Sequence, residues 1–362
     1  MRLDGPEDVL RARLATQRLS GPAAASPVQV VRELLCVQAQ DAPLAQAMIA
    51  LRCQAGEADV RAAIGRGEIV RTHVLRPTWH YVAADDLRWL LALTSPKVES
   101  GMAARHRQLG LDEPLIVRGL DAIANALAGH SYADRRHLGT ILADAGVLTA
   151  GQPLFGQQVG HLLMLAELRA LICSAPSALA AHRYALVDEV VPVTADRDRG
   201  QAIDEIVGRF VAGHGPVALS DLVRWAKVTL AEARTAVDRL AAQVRTIDVG
   251  GQQLWYSPAA VLPETRNQDA WLLSTFDEAF LSYRTLPWPR SATHPAGSDP
   301  YRFAEVGGGV VIHRLTDVGA WKRTRRRGLA ELSLDVDPRL SGSARQAIDR
   351  ASRQLLAAIG SA

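Results

Sequence analysis

Val-Arg-Thr-Ile-Asp-Val-Gly-Gly-Gln-Gln-Leu-Trp-Tyr, residues 244–256, reads as two alternating runs joined at Gly250-Gly251. A Gly-Gly pair accepts the positive φ angles of a tight two-residue turn, so the stretch predicts a β-hairpin. What precedes it decides the kind of hairpin. Residues 199–213 place Ile203, Ile206, Val207 and Phe210 on one helical face, and His214-Gly215-Pro216 ends that helix. Ser220 opens a short second helix carrying Leu222, Val223 and Trp225. Thr229 and Glu232 have capping-box spacing and start a third helix, which runs to about Ala242 with Ala233, Ala236, Val237 and Leu240 facing inward. Three helices and then a two-stranded hairpin is the order of a winged helix, a helix-turn-helix variant.

Working outward, the same order recurs twice without sequence similarity. In the middle of the chain the spacing predicts helices at 115–128, 134–145 and 155–170, with a strand pair around Leu171–Ser174 and Arg183–Val187. Nearer the start it predicts helices at 27–39, 43–54 and 57–66, with a hairpin at 69–82. The last hundred residues differ: 310–313 and 329–336 alternate like strands, and 343–359 is an amphipathic helix carrying Ile348, Leu355, Leu356 and Ile359. The proline-rich stretch 286–300 reads as a loop. The expected fold class is therefore α+β, with three tandem winged-helix units at 1–95, 96–195 and 196–260 and a β-rich region with a closing helix at 261–362. A simple regulator usually carries one DNA-reading unit and gains the second by dimerisation, so three in one chain point elsewhere.

Composition sets limits on function. A chain of 362 residues that is 48% hydrophobic can bury a proper core, and is not a disordered one. Its net charge of +3 is too small to establish a nucleic-acid partner, so the distribution of charge matters more than the total. Cys36, Cys53 and Cys173 have no paired spacing, which argues against disulfides and a structural zinc site. The histidines show no His-Glu-x-x-His spacing, so no metal or other cofactor is expected. No leader-like or membrane-spanning apolar run is read, and the expectation is a soluble, cytoplasmic monomer.

One short motif stands out chemically. Gln38 and Gln40 flank the small Ala39 near the expected end of the first unit's leading helix, and Pro43 stops any continuation. Residues at i and i+2 do not share a helix face, so two amides converge there only where a helix ends. The plainer alternative is a pair of solvated polar residues after an amphipathic helix.

Taken with Arg71-Thr72-His73-Val74-Leu75-Arg76-Pro77-Thr78-Trp79-His80, and with Phe276-Asp277-Glu278 followed by Tyr283-Arg284, the Gln-Ala-Gln motif resembles that of the winged-helix DNA glycosylases. The resemblance covers nearly the whole chain, from about Arg11 to the closing helix. It implies three tandem winged helices forming a concave surface for double-stranded DNA. It also implies a catalytic motif of Gln, an apolar residue and then Gln or Asp, whose positions Gln38 and Gln40 occupy here. Glutamine in the second place puts the chain nearer the branch that unhooks crosslinks than the branch with a broad range of alkylpurines.

The chemistry fits such residues. An N7-alkylated guanine is already cationic and leaves without an acid, so what remains is to steady an oxocarbenium-like sugar and to place a water. A glutamine carbonyl can do both, though it is too weak a base to deprotonate the water outright. Asp41 is a possible helper. Lyase chemistry needs an amine nucleophile, and the nearest lysine in sequence is Lys97, so a monofunctional glycosylase is expected. Arg71, His73, Arg76 and His80 on the first hairpin are candidates for DNA contacts, or else a charged edge that blunts strand pairing. Trp79 reads as core. Lys322, Arg323, Arg325, Arg326 and Arg327 form a phosphate-contacting strip or a solvated strand edge. Arg224, Lys227, Arg234, Arg239 and Arg245 could also meet phosphates or simply face solvent. The competing functional class is a non-catalytic winged-helix DNA-binding protein or regulator, which has no use for two recessed amides.

Overall fold

The computed structural model describes residues 3–54, 56–177, 182–259, 269–284, 288–289, 291, 307–326 and 329–359. Along the chain, helices α1 (Pro6–Thr16) and α2 (Pro27–Leu34) lead to strand β1 (Cys36–Gln38) and helices α3 (Ala42–Ala50) and α4 (Glu57–Gly65). The hairpin β2 (Ile69–Val74) and β3 (Arg76–Ala83) precedes the long α5 (Leu87–Gln108). Then come α6 (Glu113–Leu127), α7 (Arg135–Asp144), α8 (Phe155–Leu168), β4 (Ile172–Ser174), β5 (Tyr184–Leu186) and the short α9 (Val187–Val190). Helices α10 (Arg199–His214), α11 (Leu219–Ala226) and α12 (Leu230–Arg239) are followed by β6 (Arg245–Val249) and β7 (Gln252–Tyr256). The remainder comprises β8 (Ala270–Ser274), α13 (Glu278–Leu281), β9 (Gly308–His313), β10 (Thr316–Arg326), β11 (Leu329–Val336) and α14 (Gly342–Ile359). Two compact units divide the chain: Met1–Arg61 with Ile203–Ala362, and Ala62–Ala202.

Within the inserted unit, α6, α7 and α8 and the β4–β5 pair follow the order that the periodicity predicts. Leu138, Leu142, Leu162, Leu163 and Leu165 form its core between α6, α7 and α8. Gly119 lets α6 approach α8, since a Cβ there would stand 3.2 Å from a Leu162 methyl. Strands β4 and β5 pair antiparallel, and Ala133, just before α7, bridges to Tyr184 of β5. The same unit contains the β2–β3 hairpin, whose register shifts by a bulge between His73 and Val74.

The other unit repeats that arrangement in α10, α11, α12 and the β6–β7 hairpin, where Val217 before α11 bridges to Trp255 of β7. Gly250 and Gly251 adopt φ of 62° and 80°, the turn their sequence predicts. Thr229 and Glu232 form the expected reciprocal capping box, with Glu232 N donating to Thr229 Oγ1 at 3.1 Å and Thr229 N to Glu232 Oε2 at 2.7 Å. Helix α11 starts one residue before the expected Ser220, because the Asp221 carboxylate accepts the Ala218 N–H at 3.1 Å. Helix α12 stops at Arg239, short of Ala242.

The end of this unit is a four-stranded antiparallel sheet in the order β11-β10-β9-β8. Helices α3 and α14 pack on it and on each other. Helix α3 is buried nearly all round, carrying Leu44, Met48 and Ile49, with Ala45, Ala47 and Ala50 keeping its remaining faces thin. Gly309 is obligatory in β9, since a Cβ would fall 1.9 Å from the Leu273 carbonyl oxygen. Of these strands, β8 has no counterpart in the reading of the sequence, and β10 has one only in the strand-edge alternative for the basic run. Most of 286–300 lies outside the described residues.

One predicted element is corrected. The expected helix at 27–39 ends at Leu34, because Leu35 turns to φ 66° and the chain continues as β1. Cys36, Val37 and Gln38 are buried in succession, a pattern that a short central strand and a buried helical turn share.

Candidate active site

Gln38 and Gln40 therefore sit between a strand and a helix rather than at a helix end. Gln38 closes β1 and is 7% exposed, Ala39 is buried, and Gln40 is exposed. Asp41 is the N-cap of α3, accepting the Leu44 N–H at 3.1 Å, with Pro43 in the first turn. The Gln38 Oε1 is buried and has no hydrogen-bond partner among the described residues. Such an atom costs about 1–3 kcal/mol of desolvation when nothing meets it, so it marks a place where a water or ligand belongs.

The backbone of Gln38 is held instead. Its N–H donates to Glu278 Oε1 at 3.3 Å. Glu278 is 1% exposed, and its Oε2 accepts the Trp225 indole N–H and the Ser282 hydroxyl, each at 2.9 Å. The neighbouring Asp277 caps α13 and forms a two-pronged ion pair with Arg52, at 2.6 and 2.9 Å, both side chains being almost wholly buried. Arg52 also donates to the Met48 carbonyl at 2.9 Å and to Gln17 Oε1 at 3.2 Å. Gln17 passes the network on to the Tyr283 hydroxyl at 3.0 Å, and that hydroxyl donates to the His214 carbonyl at 2.8 Å. Burial pushes the Tyr283 phenol above its ordinary range and pushes the His214 imidazole down to about 3. Arg224 is not a free cation for DNA, since it donates to the carbonyls of Leu281 and Tyr283. Asp277, Glu278 and Tyr283 of the two signature stretches thus belong to the buried network beneath the Gln motif.

The basic run is partly explained as well. Lys322 and Arg323 lie on β10, and Arg323 reaches Asp41, Nη2 to Oδ2 at 3.7 Å, beside Gly307. The fold thus brings one end of the run to the residue next to Gln40. Lys322 is exposed. The side chains of Arg325 and Arg326, and all of Arg327, lie outside the described residues.

The first-hairpin candidates are engaged in their own unit rather than standing as a solvated edge. His73 Nδ1 meets Glu167 Oε2 at 2.5 Å, and the Trp79 indole N–H donates to Glu167 Oε1 at 3.3 Å. Arg71 lies 4.3 Å over the Trp79 ring, and its guanidinium is 3.4 Å from His182 Nδ1. Trp79, expected in the core, is only half-buried. His80 is fully buried, with Nδ1 on the Thr78 carbonyl at 2.9 Å and Nε2 on Arg76 at 3.1 Å. Burial first, and Arg76 second, hold its pKa well below the ordinary imidazole value. A ring in that position meets no phosphate unless the hairpin opens.

With this geometry in hand, the comparisons with known proteins can be placed. The family model describing AlkZ-like DNA glycosylases matches residues 31–358. The chain belongs to the AlkZ-like DNA glycosylase family. Membership assigns it to the hydrolases that cut the bond between base and deoxyribose in DNA. The fold is similar to the solved structure of Streptomyces sahachiroi DNA glycosylase AlkZ, with a TM-score of 0.74 at 19% identity, covering 99% of this chain and 98% of that one. A comparison with curated protein sequences finds no match. Among the described residues of this AlkZ-like chain, no helix is long and apolar enough to cross a membrane.

The sequence singles out Gln38 and Gln40 as candidates and brings in Asp277 and Glu278 through the resemblance alone, but it does not single out Arg52. Arg52 follows an apolar helix with no charge near it, which is the one local hint of a buried ion pair. Nothing local links it to Asp277, 225 positions away.

Proposed function

We propose that the chain is a monofunctional glycosylase for bulky or crosslinking N7-alkylpurine adducts, acting as a monomer on double-stranded DNA, with Gln38 and Gln40 as its catalytic residues. The observation that carries this reading is the buried Gln38 carbonyl oxygen, without a hydrogen-bond partner among the described residues and two positions from the exposed Gln40. In this reading the Gln38 oxygen faces the developing sugar cation, and the two amides hold the attacking water between them. Neither amide is a strong base, which suits a cationic lesion that leaves unaided and disfavours unmodified purines. Asp41 acts indirectly, by capping α3 and holding Arg323 beside the motif.

The architecture we infer is three winged-helix units, at 1–95, 96–195 and 196–260, ahead of a β-rich region. Its support is the shared bridge in two of them, Ala133 to Tyr184 and Val217 to Trp255, each tying the approach to the second helix to the second strand of the wing. Lys322, Arg323 and the arginines that follow are read as the phosphate-contacting strip, whose counterions are released on binding. Arg71 and Arg76 are weaker candidates for phosphate contacts, given their internal partners.

The test is incubation of the protein with duplexes carrying N7-methylguanine and with an N7-linked interstrand crosslink, scored for abasic sites. Excision of both, with no borohydride-trapped protein–DNA adduct, is the expected result, and binding that weakens steeply with salt accompanies it. Binding without excision on any cationic purine adduct favours the non-catalytic class. A trapped adduct removes the monofunctional assignment.

A further inference from the structure

Glu278 links the Gln motif to the interior through the main chain. Its carboxylate accepts the Gln38 N–H on one oxygen, while the other oxygen is locked by Trp225 and Ser282. The helix that carries it, α13, is itself anchored by Asp277 to Arg52. The backbone of Gln38 is therefore fixed from below by a chain of buried hydrogen bonds, whereas its side-chain oxygen is buried and unmet. A fixed backbone under an unsatisfied dipole is the arrangement electrostatic preorganisation requires: the dipole is aimed before charge develops and need not reorient when it does.

We propose that Glu278 is a positioning residue for base excision, acting by pinning the end of β1 so that the Gln38 amide is aimed at the reacting sugar. The proposal rests on the reading of Gln38 as catalytic. No bond to substrate is made by Glu278 itself.

The geometry offers a selective way to test it. In Glu278→Gln the new amide keeps the shape of the side chain. Trp225 Nε1 can only donate, so the amide oxygen is drawn to the Trp225 and Ser282 side. The amide NH2 then faces the Gln38 N–H, donor against donor, and the link to Gln38 is lost. A role confined to stability lowers the melting temperature and leaves the rate of folded protein alone. A positioning role lowers kcat about tenfold, with KM and binding of adducted DNA within about twofold.

The decisive comparison is a double-mutant cycle under single-turnover conditions. Gln38→Ala alone slows excision about 100-fold. Adding Glu278→Gln to Gln38→Ala slows it no further, because the group being aimed is gone. Glu278→Gln at the wild-type rate, or losses that simply multiply in the double variant, overturns the proposal. Gln38→Ala at the wild-type rate instead removes the catalytic reading of the motif, and the proposal goes with it. If Glu278→Gln does not fold, Ser282→Ala takes its place, since it withdraws one donor that orders the carboxylate. A loss of about threefold, absent in the Gln38→Ala background, supports the proposal, and unchanged excision overturns it.

Discussion

Glu278 and Glu167 lie in different units, both at 1% exposure or less, and both oxygens of each accept hydrogen bonds. Glu167 binds side chains: the His73 imidazole and the Trp79 indole both end on it, and the aromatic cluster of Arg71, Trp79 and His182 closes around them. Glu278 binds a backbone N–H of the Gln motif, whose Gln38 carbonyl oxygen has no hydrogen-bond partner among the described residues. The first arrangement holds a hairpin together, although His182 Nε2 in its cluster is also buried without a hydrogen-bond partner among the described residues. The second holds a polar group ready. Residue type does not separate the two, since both are buried glutamates beside a strand. What each glutamate holds does: side chains of a hairpin in one case, the main chain of the Gln motif in the other.

The largest effect that can break this comparison is on stability. Arg52 is the counter-charge for Asp277 in the network under Gln38, so Arg52→Ala strands a buried carboxylate and should cost about 3–5 kcal/mol. Urea denaturation checks it, and a loss below about 1 kcal/mol would mean the network is not a foundation for the motif. An intermediate effect comes from acid. His214 in one unit and His182 in the other are held neutral, each pushed down to about 3 chiefly by burial. Unfolded, both take up protons near pH 6.5, so the unfolded state binds more protons below that value. Their contribution is therefore complete above about pH 6.5 and is lost progressively as the pH falls toward 3. Denaturation midpoints at pH 7 and about pH 4.5 should differ, and His182→Gln should lessen the difference. A midpoint flat across that range contradicts the buried-neutral assignment.

The parts of the fold that were legible are those whose signal is local. The hairpin at Gly250-Gly251 and the capping box of Thr229 and Glu232 are fixed by residues within a few positions, and they are where they were expected. The secondary structure of the Gln motif was misread because three consecutive buried residues, Cys36 to Gln38, carry no period that separates strand from helix. The sequence leaves Lys322-Arg323-Thr324-Arg325-Arg326 open between a strand edge and a phosphate-contacting strip, because the run has no apolar alternation. It is a strand because β9 and β11 flank it on both sides, which only the folded chain reveals. At the site, the two glutamines could be picked out by their chemistry. Glu278, Arg52 and the approach of Arg323 to Asp41 depend on contacts across more than two hundred positions. No local pattern encodes them.

The central claim is that the Gln38–Gln40 pair performs the reaction, and the direct measurement is single-turnover excision of N7-methylguanine by the double variant Gln38→Ala/Gln40→Ala. Circular dichroism and binding to adducted DNA establish that the variant is folded. Excision slowed at least about 100- to 1000-fold, with binding retained, is the predicted result. Excision at the wild-type rate would contradict the account, because the unmet oxygen of Gln38 would then be no more than an unsatisfied group in the core.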